Sequence, residues 1–312
     1  MLTLSSLAEN QTLQSLQFGL RRLISATRVL MVVSDERLVL CWQRSGAWHW
    51  SAGTWPADSC RGGQPQLREG MGELLADLLL ECDVVGAEIE LVLPQAGGYW
   101  RVLDGVTPDQ LQAQPTFSAG LEGLEWPLDS HDLYGTYALF GEQPVAIACP
   151  RLLLKGWIDV IQLADLPLRR VDWLLTSALR GVLLELQGWQ GDLAWLTECG
   201  TTMRLVLVRD GVPELDCSLR SDDPAELRVA LRARIAAWQN LCGARPTSGW
   251  WLSVSPDWQD ALQPLIDPDR GERDLTAACR WAASAAGPRE NLSPLSSLET
   301  LALSGMAEDI YP

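Results

Sequence analysis

A stretch in the middle of the chain, WLTECGTTMRLVLVRDG at residues 195–211, holds residue types that can bind a phosphate at a hairpin tip. Glu198 supplies an acid, and Gly200 would let main-chain amides approach a phosphate oxygen closely. Thr201 and Thr202 place hydroxyl groups beside this glycine. The same residue types also form ordinary turns, so a phosphate cradle and a plain hairpin both remain open at this point.

The charge of the chain argues against nucleic acid and anionic membrane surfaces as partners. The 312 residues include 40 Asp or Glu and 24 Lys or Arg, which gives a net charge of −16. Nucleic acids and anionic lipids bind clustered basic residues, which this composition does not favour. Lys155 is the one lysine in the sequence, so a lysine contact to a nucleotide phosphate has a single candidate.

The cysteine and histidine pattern indicates neither a zinc site nor a disulfide framework. The 8 cysteines contain no CxxC pair, and the 2 histidines are His49 and His131. Scattered single cysteines are typical of reduced thiols in a cytoplasmic protein. The amino terminus lacks a basic start and no apolar run reaches ~18 residues, so we expect neither a signal peptide nor a membrane-inserted segment.

The same order of elements occurs twice in the sequence. Apolar periodicity predicts three consecutive strands, a helix and a fourth strand in each half. The segments are 28–33, 37–42, 47–52, 67–82 and 88–94 in the first half, and 192–197, 203–208, 213–219, 224–242 and 249–256 in the second. Asp222 or Asp223 is expected to cap the second helix, with Pro224 in its first turn. This long-period duplication predicts two α/β domains of like topology.

Two features near the amino terminus stand outside this pattern. Residues 11–26 carry leucines at helical spacing, which indicates a helix that docks ahead of the first domain. These leucines are Leu13, Leu16, Leu20 and Leu23. A membrane-surface helix fits less well, because the polar face is not strongly basic. Four of the 15 tryptophans fall between residues 42 and 55, and they fit either cross-strand packing or a partner-binding aromatic patch.

Further segments lie between and after the repeats. Residues 101–149 read as an inserted α+β unit, with strands near 133–140 and 144–149. Residues 150–187 read as mostly helical. Residues 288–312 are rich in Pro and Ser, and we expect a loosely packed tail with one short apolar segment.

The ordered set of elements resembles the actin-like ATPases, and the middle of the chain is similar to the PilM family of type IV pilus assembly proteins. The resemblance rests on VLPQAGGYWRVL (92–103), LEWPLDSHDLYGTYALF (124–140) and VAIACPRLLLKGWIDVIQLADLPLRRVDW (145–173). It implies an α/β fold of duplicated actin-like (ribonuclease H-like) domains with an inserted α+β subdomain. The implied parts are an N-terminal helix or arm at 1–27, a first domain at 28–150 with its insertion near 101–149, a second domain at 151–287 and a tail at 288–312.

The resemblance also implies two hairpin tips and a glycine-rich turn that hold a nucleotide. The first tip corresponds to VVSDERLVL (32–40), which keeps Asp35 and Arg37 but lacks the glycine and the lysine of the PilM pattern. The adenosine turn corresponds to WLSVSPDW (251–258), which contains no glycine. Large side chains obstruct the close approach of main-chain amides to phosphate.

The second tip keeps one acid and one glycine of the implied pattern, with threonines beside them. Its candidate residues are Glu198, Gly200, Thr201 and Thr202. With only this tip partly retained, we expect a pseudo-ATPase that has no catalytic residues, no metal site and no cofactor. Binding of ATP with Mg²⁺, and with it an active actin-like ATPase or kinase, remains the alternative.

The PilM resemblance implies a cytoplasmic adaptor that reaches the inner membrane through a partner. It would bind the N-terminal tail of a PilN-like membrane protein in a groove between the first domain and its insertion, and connect indirectly to PilO and the pilus motor. The expected contact residues are Trp100, Trp126, Leu128, Tyr134, Tyr137 and Phe140. Each of these side chains also suits a core position. A second alternative is the cytoplasmic arm of a type II secretion system, which GspL provides.

Overall fold

The computed structural model describes residues 27–107, 124–187, 189, 191–199, 202–220, 222–243, 245, 248–276 and 295–307. These residues form two compact units. The first unit contains residues 27–92 and 156–172, and the second contains the described residues of 93–155, 173–276 and 295–307. The domain boundaries given above remain predictions. Residues 11–26, with their predicted docking helix, lie outside the described residues.

The strands and helices follow the duplicated pattern. The strands are β1 (Thr27–Val33), β2 (Arg37–Arg44), β3 (Ala47–Thr54), β4 (Cys60–Arg61), β5 (Gln64–Pro65), β6 (Ala87–Leu93), β7 (Tyr99–Val102), β8 (Leu133–Phe140), β9 (Gln143–Pro150), β10 (Leu168–Trp173), β11 (Asp192–Cys199), β12 (Thr202–Arg209), β13 (Val212–Leu219), β14 (Ser248–Ser253) and β15 (Glu272–Asp274). The helices are α1 (Arg68–Glu81), α2 (Arg151–Leu163), α3 (Leu174–Glu185), α4 (Pro224–Cys242), α5 (Pro256–Leu262) and α6 (Ser297–Ala307). Every element predicted for the two repeats is therefore confirmed.

The first sheet has the strand order β10-β6-β1-β2-β3. Strand β1 pairs antiparallel with β2 and parallel with β6. Residues 29–33 of β1 are buried without alternation, as expected for a central strand that is covered on both faces. Trp42 and Trp55 are buried in this unit, and Trp48 and Trp50 are half-buried. Core packing therefore accounts for Trp42 and Trp55.

The second sheet repeats the same topology with the order β13-β12-β11-β14-β15. Strand β11 pairs antiparallel with β12 and parallel with β14, as β1 does with β2 and β6. Helix α4 covers the sheet with Leu227, Leu231 and Trp238. The Asp223 side chain accepts a hydrogen bond from the amide of Ala225, so Asp223 is the predicted N-cap.

The insertion forms a third sheet of three antiparallel strands, in the order β7-β9-β8. The strands predicted near 133–140 and 144–149 correspond to β8 and β9. Strand β8 is at the edge of this sheet. Its residues contain no charged side chain, and this composition is unusual for a strand edge.

The prediction that residues 150–187 are mostly helical misses a strand. Strand β10 lies between α2 and α3 and joins the first sheet beside β6. Asp165 in the preceding turn has a φ of 53°, a left-handed conformation that ends α2 before Pro167. The apolar pattern did not indicate this strand, because the arginines and the aspartate of LRRVDW interrupt it.

The expectation of a loosely packed carboxyl-terminal tail is wrong for residues 297–307. These residues form α6, and every described residue of this helix from Leu298 to Ala307 is buried. The helix packs closely against α3, because two glycines let the backbones approach. A Cβ atom built on Gly181 would lie 2.1 Å from the carbonyl oxygen of Leu301, and one on Gly305 would lie 2.0 Å from that of Ser177.

We predict that Gly305→Ala lowers the free energy of unfolding by about 1–3 kcal/mol, because a methyl group at this contact forces the two helices apart. The measurement is urea-induced unfolding followed by tryptophan fluorescence. Gly70→Ala in α1 is the matched control, since nothing lies within 4 Å of its added Cβ atom. The control should gain roughly 0.5–1 kcal/mol from helix propensity. Equal effects of the two substitutions would contradict the close helix contact.

Candidate functional site

The first predicted tip, between β1 and β2, is held to a neighbouring hairpin by its acid. The Asp35 carboxylate accepts hydrogen bonds from the main-chain amides of Gly62 (2.8 Å) and Gly63 (2.5 Å). These glycines form the two-residue turn between β4 and β5, with φ values of 59° and 80° that favour glycine. Both oxygens of Asp35 are therefore used on the chain's own amides, and bonds to a charged acceptor are the strong ones.

Two buried tryptophans fix the positions of these two turns. Trp55 donates its indole N–H to the carbonyl oxygen of Ser34 (3.0 Å), and Trp157 donates to that of Gly63 (2.9 Å). The two rings lie 5.9 Å apart. Arg37 is half-buried at the start of β2, where its carbonyl oxygen accepts the amide of Ser34 (2.9 Å). Hydrogen bonds and ring packing thus anchor this tip within its own unit.

The thiol of Cys60 lies beside the same carboxylate, 3.4 Å from Oδ1 of Asp35. Burial raises the pKa of Cys60 to about 12, and the charge and hydrogen bond of Asp35 act in the same direction. For comparison, burial raises the pKa of Cys149 to about 11. Both thiols are protonated at neutral pH, which makes them poor nucleophiles.

The second predicted tip, between β11 and β12, also has its acid engaged. The Glu198 carboxylate accepts a hydrogen bond from the main-chain amide of Ser255 (2.8 Å). Ser255 belongs to the predicted adenosine turn, so the acid of one nucleotide element binds the backbone of another. The Thr202 hydroxyl donates to the carbonyl oxygen three residues earlier (3.0 Å). Gly200 and Thr201 lie outside the described residues.

The predicted adenosine turn, residues 251–258, runs from β14 into α5. Pro256 begins this helix, a position where its missing N–H costs nothing. Trp258 is half-buried and packs against the apolar core of the second sheet. The residues that replace the glycines of the PilM pattern therefore stabilise their own unit.

A half-buried polar network beside the insertion is the feature that the sequence analysis missed. Arg204 donates two hydrogen bonds to Asp216 (2.7 and 2.5 Å), and the Trp100 indole N–H donates to the same carboxylate (2.8 Å). Arg204 also lies over the ring of Trp173, whose indole donates to the carbonyl oxygen of Gln95 (3.1 Å). The turn at 210–211 brings Arg204 and Asp216 onto neighbouring strands. Their opposite charges on either side of a predicted turn could have indicated this ion pair in the sequence.

The six residues predicted to contact a partner peptide fall into three groups. Trp100 and Phe140 are buried and pack edge to face, so they take the core alternative. Trp126 and Tyr137 are half-buried against the core of the insertion around Leu103. Leu128 and Tyr134 are exposed, at 41% and 48% of their surfaces. The Tyr134 ring lies 4.2 Å from the Arg151 guanidinium, a cation–π contact.

The described residues contain neither a membrane-spanning helix nor a cluster of metal ligands. None of the described helices combines the length and the apolar character that crossing a bilayer requires. His, Cys, Asp and Glu side chains form no group of three that could hold a metal ion in the part of the chain that the structure describes.

We predict that Asp35→Asn increases the alkylation rate of Cys60 by iodoacetamide at pH 8. Removal of the negative charge lowers the pKa of Cys60 toward its ordinary value, and the rate rises roughly tenfold for each unit of this fall. Mass spectrometry of quenched samples measures the rate at each cysteine. Cys149 is the internal control and should keep its rate, because its raised pKa comes from burial. An unchanged rate at Cys60 would contradict the Asp35 contact.

Comparison with solved structures identifies the fold. A chain titled "PilM-PilN type IV pilus biogenesis complex" is 12% identical with a TM-score of 0.67, and the alignment covers 91% of this chain and 99% of that one. A Bacteroides thetaiotaomicron protein with an actin-like ATPase fold and unknown function is 7% identical, with a TM-score of 0.50 over 80% and 90% of the chains. The cytoplasmic domain of EpsL, an inner-membrane component of the Vibrio cholerae type II secretion system, is 11% identical with a TM-score of 0.47 over 90% and 95%.

No protein-family model and no curated protein matches the chain. At such low identities the first two structural likenesses establish the fold alone. They confirm the fold class that the sequence predicts, and the duplicated sheets and the inserted sheet agree with it. The chain has an actin-like α/β fold of the PilM type.

Proposed function

We propose that this chain is an adaptor of a type IV pilus assembly machine, and that it binds the cytoplasmic tail of a PilN-like inner-membrane protein without using a nucleotide. The observation that carries the proposal is the engagement of both tip acids, Asp35 and Glu198, by main-chain amides of the chain itself. The fold it shares with the PilM-PilN structure supports the choice of machine and partner.

The hydrogen bonds of Asp35 count against a nucleotide at the first tip. A carboxylate that helps to hold Mg²⁺ must turn toward the ion or its water molecules. If Asp35 turned away, the amides of Gly62 and Gly63 would lose their acceptor. Water can reach the exposed Gly62, but Gly63 is buried, and an unsatisfied amide there costs about 1–3 kcal/mol. The adjacent Glu36 is exposed and adds a negative charge that repels a triphosphate. The chain therefore acts as a pseudo-ATPase in this proposal.

The insertion supplies a surface that suits an extended peptide. Strand β8 is the outer strand of its sheet, and no described strand pairs with its free edge. Exposed main-chain groups along such an edge can pair with an added strand, and neighbouring side chains then select the sequence. Tyr134, Thr136 and Leu139 are exposed along β8, and Leu128 precedes it. We assign the tail to this edge, with Trp126 and Tyr137 supporting it from the core.

Charge complementarity supports a membrane-proximal tail as the partner. Segments that flank a membrane span on its cytoplasmic side carry an excess of Lys and Arg. A chain with a net charge of −16 attracts such a segment and does not favour anionic lipid itself. The adaptor would therefore be cytoplasmic and reach the inner membrane through this partner, with PilO and the pilus motor contacted indirectly.

We predict that Leu128→Ala with Tyr134→Ala weakens binding of a synthetic PilN-like tail peptide at least ~10-fold, since exposed aromatic and apolar anchors dominate such interfaces. Fluorescence titration of labelled peptide measures the dissociation constant. The matched control is Val229→Ala with Leu241→Ala, which removes two exposed apolar side chains from α4. Equal affinity for all three proteins would contradict the assigned edge, and no binding to the wild type would contradict the adaptor.

We predict that millimolar MgATP leaves the melting temperature within about 1 °C of its value without nucleotide. Ligand that binds only the folded state must raise this temperature, so the absence of a shift indicates the absence of useful affinity. Differential scanning fluorimetry measures the effect, with MgAMP and magnesium alone as controls. A rise of several degrees specific to ATP would contradict the pseudo-ATPase and favour an active actin-like enzyme.

A further inference from the structure

The outer side of α1 carries a row of four acids. The row consists of Glu69, Glu73, Asp77 and Glu81, which are spaced four residues apart and are all exposed. Among the described residues none of the four forms an ion pair, whereas the nearby arginines Arg68 and Arg44 are paired with Asp159 and Asp83. Like charges at this spacing destabilise a helix by about 0.2–0.5 kcal/mol per pair. Such a row is stable at less cost when a basic segment covers it.

A groove of about 830 Å³, lined by polar side chains and two leucines, lies at the amino-terminal end of this row, between α1 and α2. Leu67 and Leu163 line it and are each 52% exposed. The two helices approach closely beside it, because a Cβ atom on Gly72 would lie 2.9 Å from Cβ of Leu163. At the other end of α1, Leu80 and Val85 are 72% and 77% exposed. Apolar side chains are therefore exposed at both ends of the acidic row.

The amino-terminal end of the described chain emerges beside the carboxyl-terminal end of α1. Thr27 pairs with Ala87, and a short loop at 82–86 connects Ala87 to α1. Helix α1 has 14 residues and is therefore about 21 Å long. Residues 11–26 would extend about 24 Å as a helix. A helix that ends at Thr27 can thus reach back along α1 as far as the groove.

The sequence of residues 11–26 complements this surface. It contains leucines at helical spacing, and its only charged residues are Arg21 and Arg22. In a helix that runs back from Thr27 along α1, the two arginines would be level with the last turns of α1, which carry Asp77 and Glu81. Leu13 and Leu16 would be level with the groove. Such a helix would match the surface in charge and in apolar character.

We propose that residues 11–26 of this chain bind along the outer side of α1, with their leucines toward the groove and their arginines beside Asp77 and Glu81. This contact is independent of the proposed tail-binding edge, which lies in the other unit. In this arrangement, residues 11–26 cover the acidic side of α1. A basic partner therefore has to compete with residues 11–26 for this face.

The test is hydrogen exchange of the full-length chain, read out by mass spectrometry on the peptides that contain residues 11–26. A synthetic peptide of the same sequence gives the unprotected rate. In the wild type the exchange should be at least tenfold slower than in this free peptide. Arg21→Glu with Arg22→Glu should remove most of the protection, and so should Asp77→Lys with Glu81→Lys. All four acids of the row are on the surface, so these changes leave the fold intact.

The combined variant, which carries both charge reversals, should regain at least tenfold protection. Arg21→Glu and Arg22→Glu combined with Glu226→Lys is the matched control, because Glu226 is an exposed acid on α4, and it should not regain protection. Exchange at the free-peptide rate in the wild type, or recovery in the control, would overturn the proposal. Protection that rises with protein concentration would assign the face to a second copy, and protection only with phosphatidylglycerol vesicles would assign the segment to a lipid surface. Both results would overturn it too.

Discussion

Two carboxylates at the hairpin tips accept hydrogen bonds from main-chain amides of the same chain, and these bonds join each tip to a neighbouring turn. Asp35 satisfies the two glycine amides of a neighbouring hairpin, and Glu198 satisfies the amide of Ser255. Each carboxylate occupies main-chain N–H donors of the kind that also bind phosphate. A phosphate that used these amides would have to displace the chain's own acids.

Local pattern was enough to predict the two repeats. The runs of β-branched residues and leucine around 28–42 and 203–208 are strands because they bury apolar side chains on both faces of a sheet. Helix α4 begins and ends at the predicted residues, since the capping by Asp223 and the following proline are signals within a few positions of each other. Such features depend on neighbouring residues, and the sequence shows them directly.

Features that depend on distant partners could not be predicted in this way. Helix α6 looks like a tail because its flanks are rich in Pro and Ser, and only its contact with Gly181 of α3 explains its burial. Trp100 and Phe140 are aromatic residues of the kind that binding surfaces use, but both are buried. Trp100 is fixed by Asp216, which lies 116 positions away in the sequence. Leu128 and Tyr134 have similar side chains but are exposed. Whether such a side chain is buried or exposed depends on which elements pack against it in the fold. The type of the residue alone does not show this.

The glycines that this chain retains indicate where close approach is still needed. Gly181 and Gly305 are at helix contacts, and Gly98 lies against the ring of Trp173, where a Cβ atom would be 2.4 Å from the ring. Glycine is absent from the first tip and from the predicted adenosine turn. Glycine therefore occurs where backbones and rings pack closely, and not at two of the three places where a phosphate or nucleoside would need it. The edge of β8 is uncharged and the outer side of α1 is acidic, so the first suits an added strand and the second a basic segment.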